Sequence, residues 1–340
     1  MKKIFQLLVF SLSLLVFHSC VKEDSYDNSR QGNFEALWKI LDEHYCFFSY
    51  KQKEIGVDWN EVHSRYAAKV NEKMNSAQLF EVLTEMLSEL KDGHVNLSTP
   101  FDLGRNWSFF EDHPENYNDS IAKLYLGHNY QITSGMSYIT LPDNIGYVRC
   151  ETFDLSIGDG NVSVMLSNLA TCNGLIIDLR NNGGGQMTSS ETLASHFTNE
   201  KVLVGYVSHK TDKGHDDFSS PEAQYLEPAS DGVRWQKPVV VLTNRAVYSA
   251  ANDFVKCMKR CPNVTIMGDR TGGGSGMPFN SELPNGWTVR YSAVVFYDHN
   301  MQHTEFGIDP DIQIAMSGAD TDQNKDTYIE KAREYLSISQ

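Results

Sequence analysis

A serine becomes a nucleophile when a base can take its proton and donors can meet the charge that develops on the attacked group. Ser249 stands where such an arrangement can be built. Pro238 to Leu242 is a short continuous apolar run, Thr243 to Tyr248 reads as a turn, and the pattern predicts a helix from Ser249 to about Lys259. The first amides of a helix are unpaired and lie at the positive end of its dipole, which suits an oxyanion. Ala250 supplies the natural first donor. Position alone does not separate this role from that of an ordinary N-cap, which is the commoner duty of a serine at a helix start.

A second corner has the same layout. Gly174 to Leu179 is an apolar strand, Asn181-Asn182-Gly183-Gly184-Gly185 follows it, and a helix is expected from about Thr188 to Phe197. Glycines there can present a backbone N–H without side-chain obstruction, with Gly184 as the expected second donor. The lysine of a phosphate-binding loop and the glycine spacing of a dinucleotide site are both missing. Asp178 and Arg180, at the end of a buried strand, read as a structural ion pair that shapes the glycine loop.

Other elements must hold these corners. Phe34, Leu37, Trp38, Leu41 and Tyr45 recur at helical spacing, as do Leu79, Leu83, Met86, Leu87 and Leu90 after a helix start at Ser76. Lys91-Asp92-Gly93-His94 ends that helix, with Gly93 expected in the left-handed position. Residues 99–136 lack a clear period and read as a connector. Strands are expected at Ser137–Leu141 and Ile145–Cys150 around the turn Pro142-Asp143-Asn144, and a helix within Phe153–Thr171. Buried strands joined through helices indicate an α/β core. The implied division is an N-terminal helical subdomain over 33–98, the connector, and a catalytic core over 137–340.

The formal net charge of -15 excludes a nucleic-acid partner, because phosphate binding needs clustered Lys and Arg. Cys46, Cys150, Cys172, Cys257 and Cys261 are an odd set that forms no complete disulfide framework, and Cys257 and Cys261 read as core thiols. His44, His63, His113, His128, His196, His215, His299 and His303 show no metal-ligand spacing. The chain opens differently. Lys2 and Lys3 precede an apolar stretch from Ile4 to Phe17, the layout of a secretory signal. Val16-Phe17-His18-Ser19-Cys20 resembles a bacterial lipobox, with Phe17 where Leu is usual, so residues 1–19 are expected to be removed and Cys20 lipidated. Residues 20–32 read as a polar linker. A Lys followed by two acids after Cys20 resembles a surface-export signal of Bacteroidetes lipoproteins, which directs the expectation to an exported protein tethered to the outer membrane.

Four motifs occur in order: Gly174-Leu175-Ile176-Ile177-Asp178-Leu179-Arg180-Asn181-Asn182-Gly183-Gly184-Gly185, the Ser249 segment, Gly268-Asp269-Arg270-Thr271-Gly272-Gly273-Gly274, and Gly307-Ile308-Asp309-Pro310-Asp311-Ile312. Together they resemble the carboxyl-terminal processing (tail-specific) peptidase family, which includes the tricorn protease core and the retinoid-binding interphotoreceptor modules. The resemblance covers roughly Ser76 to Ile314. It implies a ClpP/crotonase-like α/β core with an N-terminal helical subdomain, and a serine peptidase that acts on peptides or unfolded proteins without metal or cofactor.

The resemblance also bears on mechanism. The processing branch pairs its serine with a lysine after the Gly-Thr-x-Gly run, where this chain has Gly274. Lys256 and Lys259 lie on the nucleophile's own helix and are poor substitutes. The tricorn-like branch uses a histidine at the end of an N-terminal helix, and His94 matches it, with Gly93 where that branch carries Ser. Its glutamate is matched by Glu305, one residue later than the pattern, with Thr304 in the expected place. His303 is the rival base. Asn252 stands where the family commonly has Glu, and no PDZ-like segment is apparent. Two other readings use the same fold: a binding protein that holds peptides or apolar ligands without cleaving them, and crotonase-type thioester chemistry, which the peptidase motifs disfavour.

Overall fold

The computed structural model describes residues 26–338, so the signal segment, Cys20 and the start of the linker lie outside the described residues. The helical region begins earlier than expected, because Ser29 caps α1 (Arg30–His44) by accepting from the Gly32 amide at 2.9 Å. α2 (Phe48–Ile55), α3 (Trp59–Ala67) and α4 (Ser76–Ser88) follow. Asn75 and Gln78 close a capping box on α4, which makes Ser76 its first helical residue. At the end of α4 the left-handed residue is Lys91, with φ 45°, and not Gly93.

The connector holds structure of its own. β1 (Asn96–Ser98) and β2 (Leu103–Arg105) form a hairpin, and α5 (Ser108–Glu111), α6 (Asp119–Leu126) and β3 (Gln131–Thr133) come next. β4 (Met136–Thr140), β5 (Ile145–Cys150), α7 (Asp159–Asn168), β6 (Gly174–Asp178) and α8 (Met187–Ser195) continue the chain. α7 starts later than the Phe153 boundary expected, since Phe153 is drawn into a bridge with Gly185. β7 (Val202–His209), β8 (Glu222–Leu226), β9 (Val239–Thr243), α9 (Ala250–Met258), β10 (Val264–Gly268), β11 (Gly276–Glu282) and β12 (Thr288–Asp298) lead to β13 (Ile312–Gln313), α10 (Gly318–Thr321) and α11 (Thr327–Ile338).

The α/β core is a seven-stranded sheet in the order β13-β10-β9-β6-β5-β4-β3, parallel from β13 to β5 and antiparallel at β4 and β3. Its central strands read as unbroken apolar runs because both faces are covered. Leu175, Ile177, Val239 and Val241 pack toward Leu193, Phe254 and Val255 of the helices on one face. The alternate residues Ile176, Val240 and Leu242 meet Tyr328, Ile329 and Leu336 of α11 on the other. β6 and β9 are neighbours, so the corners that follow them open side by side. Ligands of open α/β sheets collect beyond such strand ends.

A second, antiparallel sheet was not foreseen from the sequence. It runs β2-β1-β12-β7-β8, with β11 paired to β12. α1 and α4 pack on it, so that Phe34, Leu37, Leu83 and Met86 share one core with Val289, Tyr291 and Val295. Residues 33–98 and the segment around β12 are therefore built together.

Arg180 joins the corners to the C-terminal helix. Its guanidinium holds Asp178 at 2.6 Å and both oxygens of Asp326 at 3.0 Å, all three side chains being buried or nearly so. The ion pair read from the sequence is thus one limb of a triad. Arg180→Met is expected to leave two buried carboxylates without their cation and to cost ~3–5 kcal/mol of stability, read from urea unfolding. An unchanged midpoint would refute that account.

Candidate active site

Ser249 sits at the mouth of α9 in a conformation that a cap would not need. Its φ is 56° and its ψ -126°, a sparsely populated region for a residue with a Cβ. Its amide donates to Gly273 O at 2.9 Å, and its side chain makes no capping bond to α9. The hydroxyl Oγ instead lies 3.0 Å from His94 Nε2. The capping role is therefore excluded, and the strained turn aims the hydroxyl away from its own helix. The Ala250 amide has no hydrogen-bond partner among the described residues, as the oxyanion role requires.

His94 belongs to the turn after α4. The Asp92 carboxylate accepts the His94 amide at 2.7 Å, the Tyr45 hydroxyl at 3.0 Å, the Ser292 hydroxyl at 2.9 Å and the Tyr248 hydroxyl at 3.4 Å, which pins the turn to the end of α1, to β12 and to the serine corner. The imidazole is buried and packs edge-on against Tyr248, with ring centroids 5.0 Å apart. Nδ1 has no partner among the described residues. Burial pushes the His94 pKa down to about 4, opposed by Asp92 and assisted by Arg290 and Lys51. The ring is neutral at neutral pH.

The glycine corner meets the serine corner through backbone and amide contacts. Tyr248 N donates to Asn182 O at 3.1 Å, and Asn244 Nδ2 donates to Asn181 Oδ1 at 2.7 Å. Gly184 departs from expectation in one respect. Its amide donates to Asn182 Oδ1 at 2.9 Å, so it is not a free donor. Its necessity is steric and conformational: φ is 102°, and a Cβ there would lie 2.8 Å from Ser249 Cβ. The amides of Gly183 and Gly185 have no partner among the described residues, and both glycines line a cavity with Ser249 and His94.

Glu305 requires a correction. It makes no contact with His94. Its carboxylate is buried against Lys51, with Nζ at 2.9 Å from Oε1, while Oε2 accepts the Ser275 amide at 2.9 Å. Burial and then the neighbouring Asp92 push its carboxyl up, and Lys51 pulls it back. A donor on each oxygen fits the ionised form. Lys51 gave no signal in the sequence, where a lysine four residues before Ile55 reads as a solvated helix face.

The remaining candidates lie elsewhere. His303 stacks on Tyr50 with centroids 4.1 Å apart and is no rival base. Lys256 pairs with Asp253, and Lys259 with Asp311. Asn252 accepts from the Thr271 hydroxyl at 2.6 Å and donates to Thr304 O at 3.3 Å, so it ties α9 to the loop before Glu305. The cysteines are buried and unpaired in the described structure.

Tyr248 accounts for both departures from the family pattern. A Cβ at Gly93 would lie 3.0 Å from the Tyr248 hydroxyl, and one at Gly274 would lie 2.4 Å from its ring. The ring stacks on Phe109 from the connector, centroids 4.3 Å apart. Phe109 comes nearer still to Gly93, 2.8 Å from such a Cβ, so the two stacked rings leave little room for a side chain at either position. Beyond the rings, a cavity of about 200 Å³ opens beside Ser249 between Met187, Met277, Pro278, Phe296 and Arg290.

Comparison with known proteins agrees with this geometry. Residues 144–314 match peptidase family S41, and residues 26–88 match the tricorn protease C1 domain. A crystal structure of a candidate peptidase from Parabacteroides merdae is 50% identical, with a TM-score of 0.86 over 91% of this chain and 97% of that one. Mature CPAF bound to lactacystin shares the fold at 13% identity, with a TM-score of 0.68 over 91% of this chain and 98% of that one. The chloroplastic C-terminal processing peptidase of Tetradesmus obliquus is 28% identical over 177 residues, 50% of this chain and 35% of that protein. The chain spans only about a third of the length of such curated relatives. With its catalytic corners, glycine loop and N-terminal helices all accounted for, the chain belongs to peptidase family S41.

Proposed function

We propose that the protein is a serine peptidase that cleaves peptides or unfolded protein segments through an acyl-enzyme on Ser249. The observation that carries this reading is the 3.0 Å approach of His94 Nε2 to a serine whose backbone is turned away from capping. Ser249 Oγ attacks the scissile carbonyl carbon while its proton passes to Nε2. The carbonyl oxygen becomes an oxyanion facing the Ala250 amide and an amide of the glycine loop. Nε2 then returns the proton to the leaving amine as the C–N bond breaks. Water repeats the sequence on the ester and frees Ser249. Asp92, fixed by four donors beside the imidazole, stabilises the positive charge that His94 carries between these transfers.

Ser249→Ala is expected to lower hydrolysis of a peptide substrate by at least about 10⁴-fold while leaving the circular dichroism spectrum unchanged. Retained hydrolysis would sink the assignment. A fluorophosphonate should label Ser249 in the native protein, which a pure peptide- or ligand-binding protein on this fold would resist.

The depressed His94 pKa fixes the sign of the pH response. A base is active while deprotonated, so in Glu305→Gln, which lacks the carboxyl pushed up to about 7, the labelling rate should stay level from neutral pH downward and fall only as the pH drops through about 4. A midpoint near 6.5, the ordinary imidazole value, would show that the ring is not buried as described.

The same proposal places the enzyme outside the cytoplasm, held to a membrane by a lipid on Cys20. Its support is the basic, apolar and small-residue order of residues 1–20. Among the described residues no helix is long and apolar enough to cross a membrane. Cys20→Ala is expected to move the expressed protein from the detergent phase to the aqueous phase in a Triton X-114 partition. Unchanged partition would remove the anchor.

A further inference from the structure

His94 and Ser249 come from opposite halves of the molecule, and something must hold those halves at bonding distance. Lys51 on α2 is fully buried, with its ammonium 4.0 Å from the centroid of the Phe306 ring. Desolvating an ammonium without a strong return is costly, so a lysine in that place calls for a reason. Its contacts point in two directions. Toward the histidine, Nζ donates to Lys91 O at 3.3 Å, in the turn that leads to His94. Toward the serine, Nζ meets Glu305 Oε1 at 2.9 Å.

The path continues from Glu305. Its Oε2 accepts the Ser275 amide at 2.9 Å, and its carbonyl accepts the Gly274 amide at 3.0 Å. Gly273, next in line, accepts the Ser249 amide at 2.9 Å. Gly273 lies so close that a Cβ on it would overlap Glu305 O, which fixes the loop against that residue. A continuous series of hydrogen bonds therefore runs from the histidine turn to the serine backbone, and Lys51 is its only side chain from the N-terminal helices.

Building on the peptidase reading above, we propose that Lys51 is a positioning residue that clamps the His94 turn to the Gly273–Ser275 loop through an ionised Glu305. The charged groups around Glu305 are Lys51 from α2 and Asp92 from the turn after α4. Tyr45, Cys46 and Tyr248 also face this cluster, and burial pushes each well up, so all three stay neutral. His94 is neutral as well. Lys51 is thus the cation that favours the ionised form of Glu305 against burial and the neighbouring Asp92. Without it, Glu305 takes up a proton, loses its charge-assisted hold on Ser275, and the loop loosens.

The test compares wild type, Lys51→Met and the double variant Lys51→Met/Glu305→Gln, each in the full chain and each normalised to folded protein. Readouts are kcat and KM on one peptide and the rate of fluorophosphonate labelling, from pH 6 to 9. Lys51→Met is expected to lose about 100-fold in kcat and labelling at neutral pH, with KM within about threefold, as displacement of a reacting pair does. Its activity should climb with pH as Glu305 regains its charge, along a limb whose midpoint lies above that of wild type, where the carboxyl is pushed up only to about 7 with Lys51 opposing. The double variant has no carboxyl to titrate, so its profile should be flat and its kcat about tenfold below wild type. Wild-type kcat in Lys51→Met, or a loss equal at every pH, overturns the clamp. Should Lys51→Met not fold, the double variant decides, because it leaves no Glu305 charge buried without its cation; wild-type kcat in it overturns the proposal. Failure of the wild-type protein to label at Ser249 would instead strike the peptidase reading itself.

Discussion

The contact between His94 and Ser249 is the point on which the rest of the molecule converges. Its partners are 155 residues apart in sequence and belong to separately packed cores. The serine side is stiff, because a strained residue at a helix mouth keeps its conformation only where its neighbours over-determine it. Those neighbours are the parallel strands beneath, the glycine corner beside and the loop whose carbonyl takes the Ser249 amide. The histidine side is stiff for a different reason. A buried carboxylate with four donors leaves the turn little freedom, and an imidazole packed against an aromatic ring has little room to rotate.

Burial sets the chemistry as much as distance does. An exposed histidine would be partly protonated near neutral pH and unable to accept a proton. Here desolvation keeps the ring neutral, and the carboxylate of Asp92 beside it compensates when the ring becomes charged. Tyr248 contributes to both effects. Its ring helps seal the histidine from water, and it occupies the volume where related enzymes place polar side chains. Gly93 and Gly274 are both held to glycine by the ring of Tyr248, joined at Gly93 by that of Phe109.

The two corners and the α/β core were legible in the sequence because they rest on local chemistry, whereas the pairing of Ser249 with His94 was expected only from the family resemblance. Continuous apolar strands, glycine at a tight approach and a turn before a helix all leave short-range patterns. The second sheet was harder to see. β1 and β2 are three residues each, and β12 mixes inward and outward residues as it passes from one partner to another. The carboxylate was misplaced for a related reason. Glu305 lies near the right motif, but its partner Lys51 comes from a helix that shares no local signal with it. Gly93 was read as a helix terminator, when the constraint on it is the ring of Tyr248, distant in sequence.

One feature of the second sheet governs when this protein acquires activity. Asn96, two residues after His94, pairs with Arg290, and Ser292 reaches back to Asp92. The base is therefore fixed by a strand near the far end of the chain, and such long-range pairing forms late because loop closure must precede it. Until β12 arrives, the turn that carries His94 lacks the strand that fixes it, so the contact with Ser249 is among the last to be made.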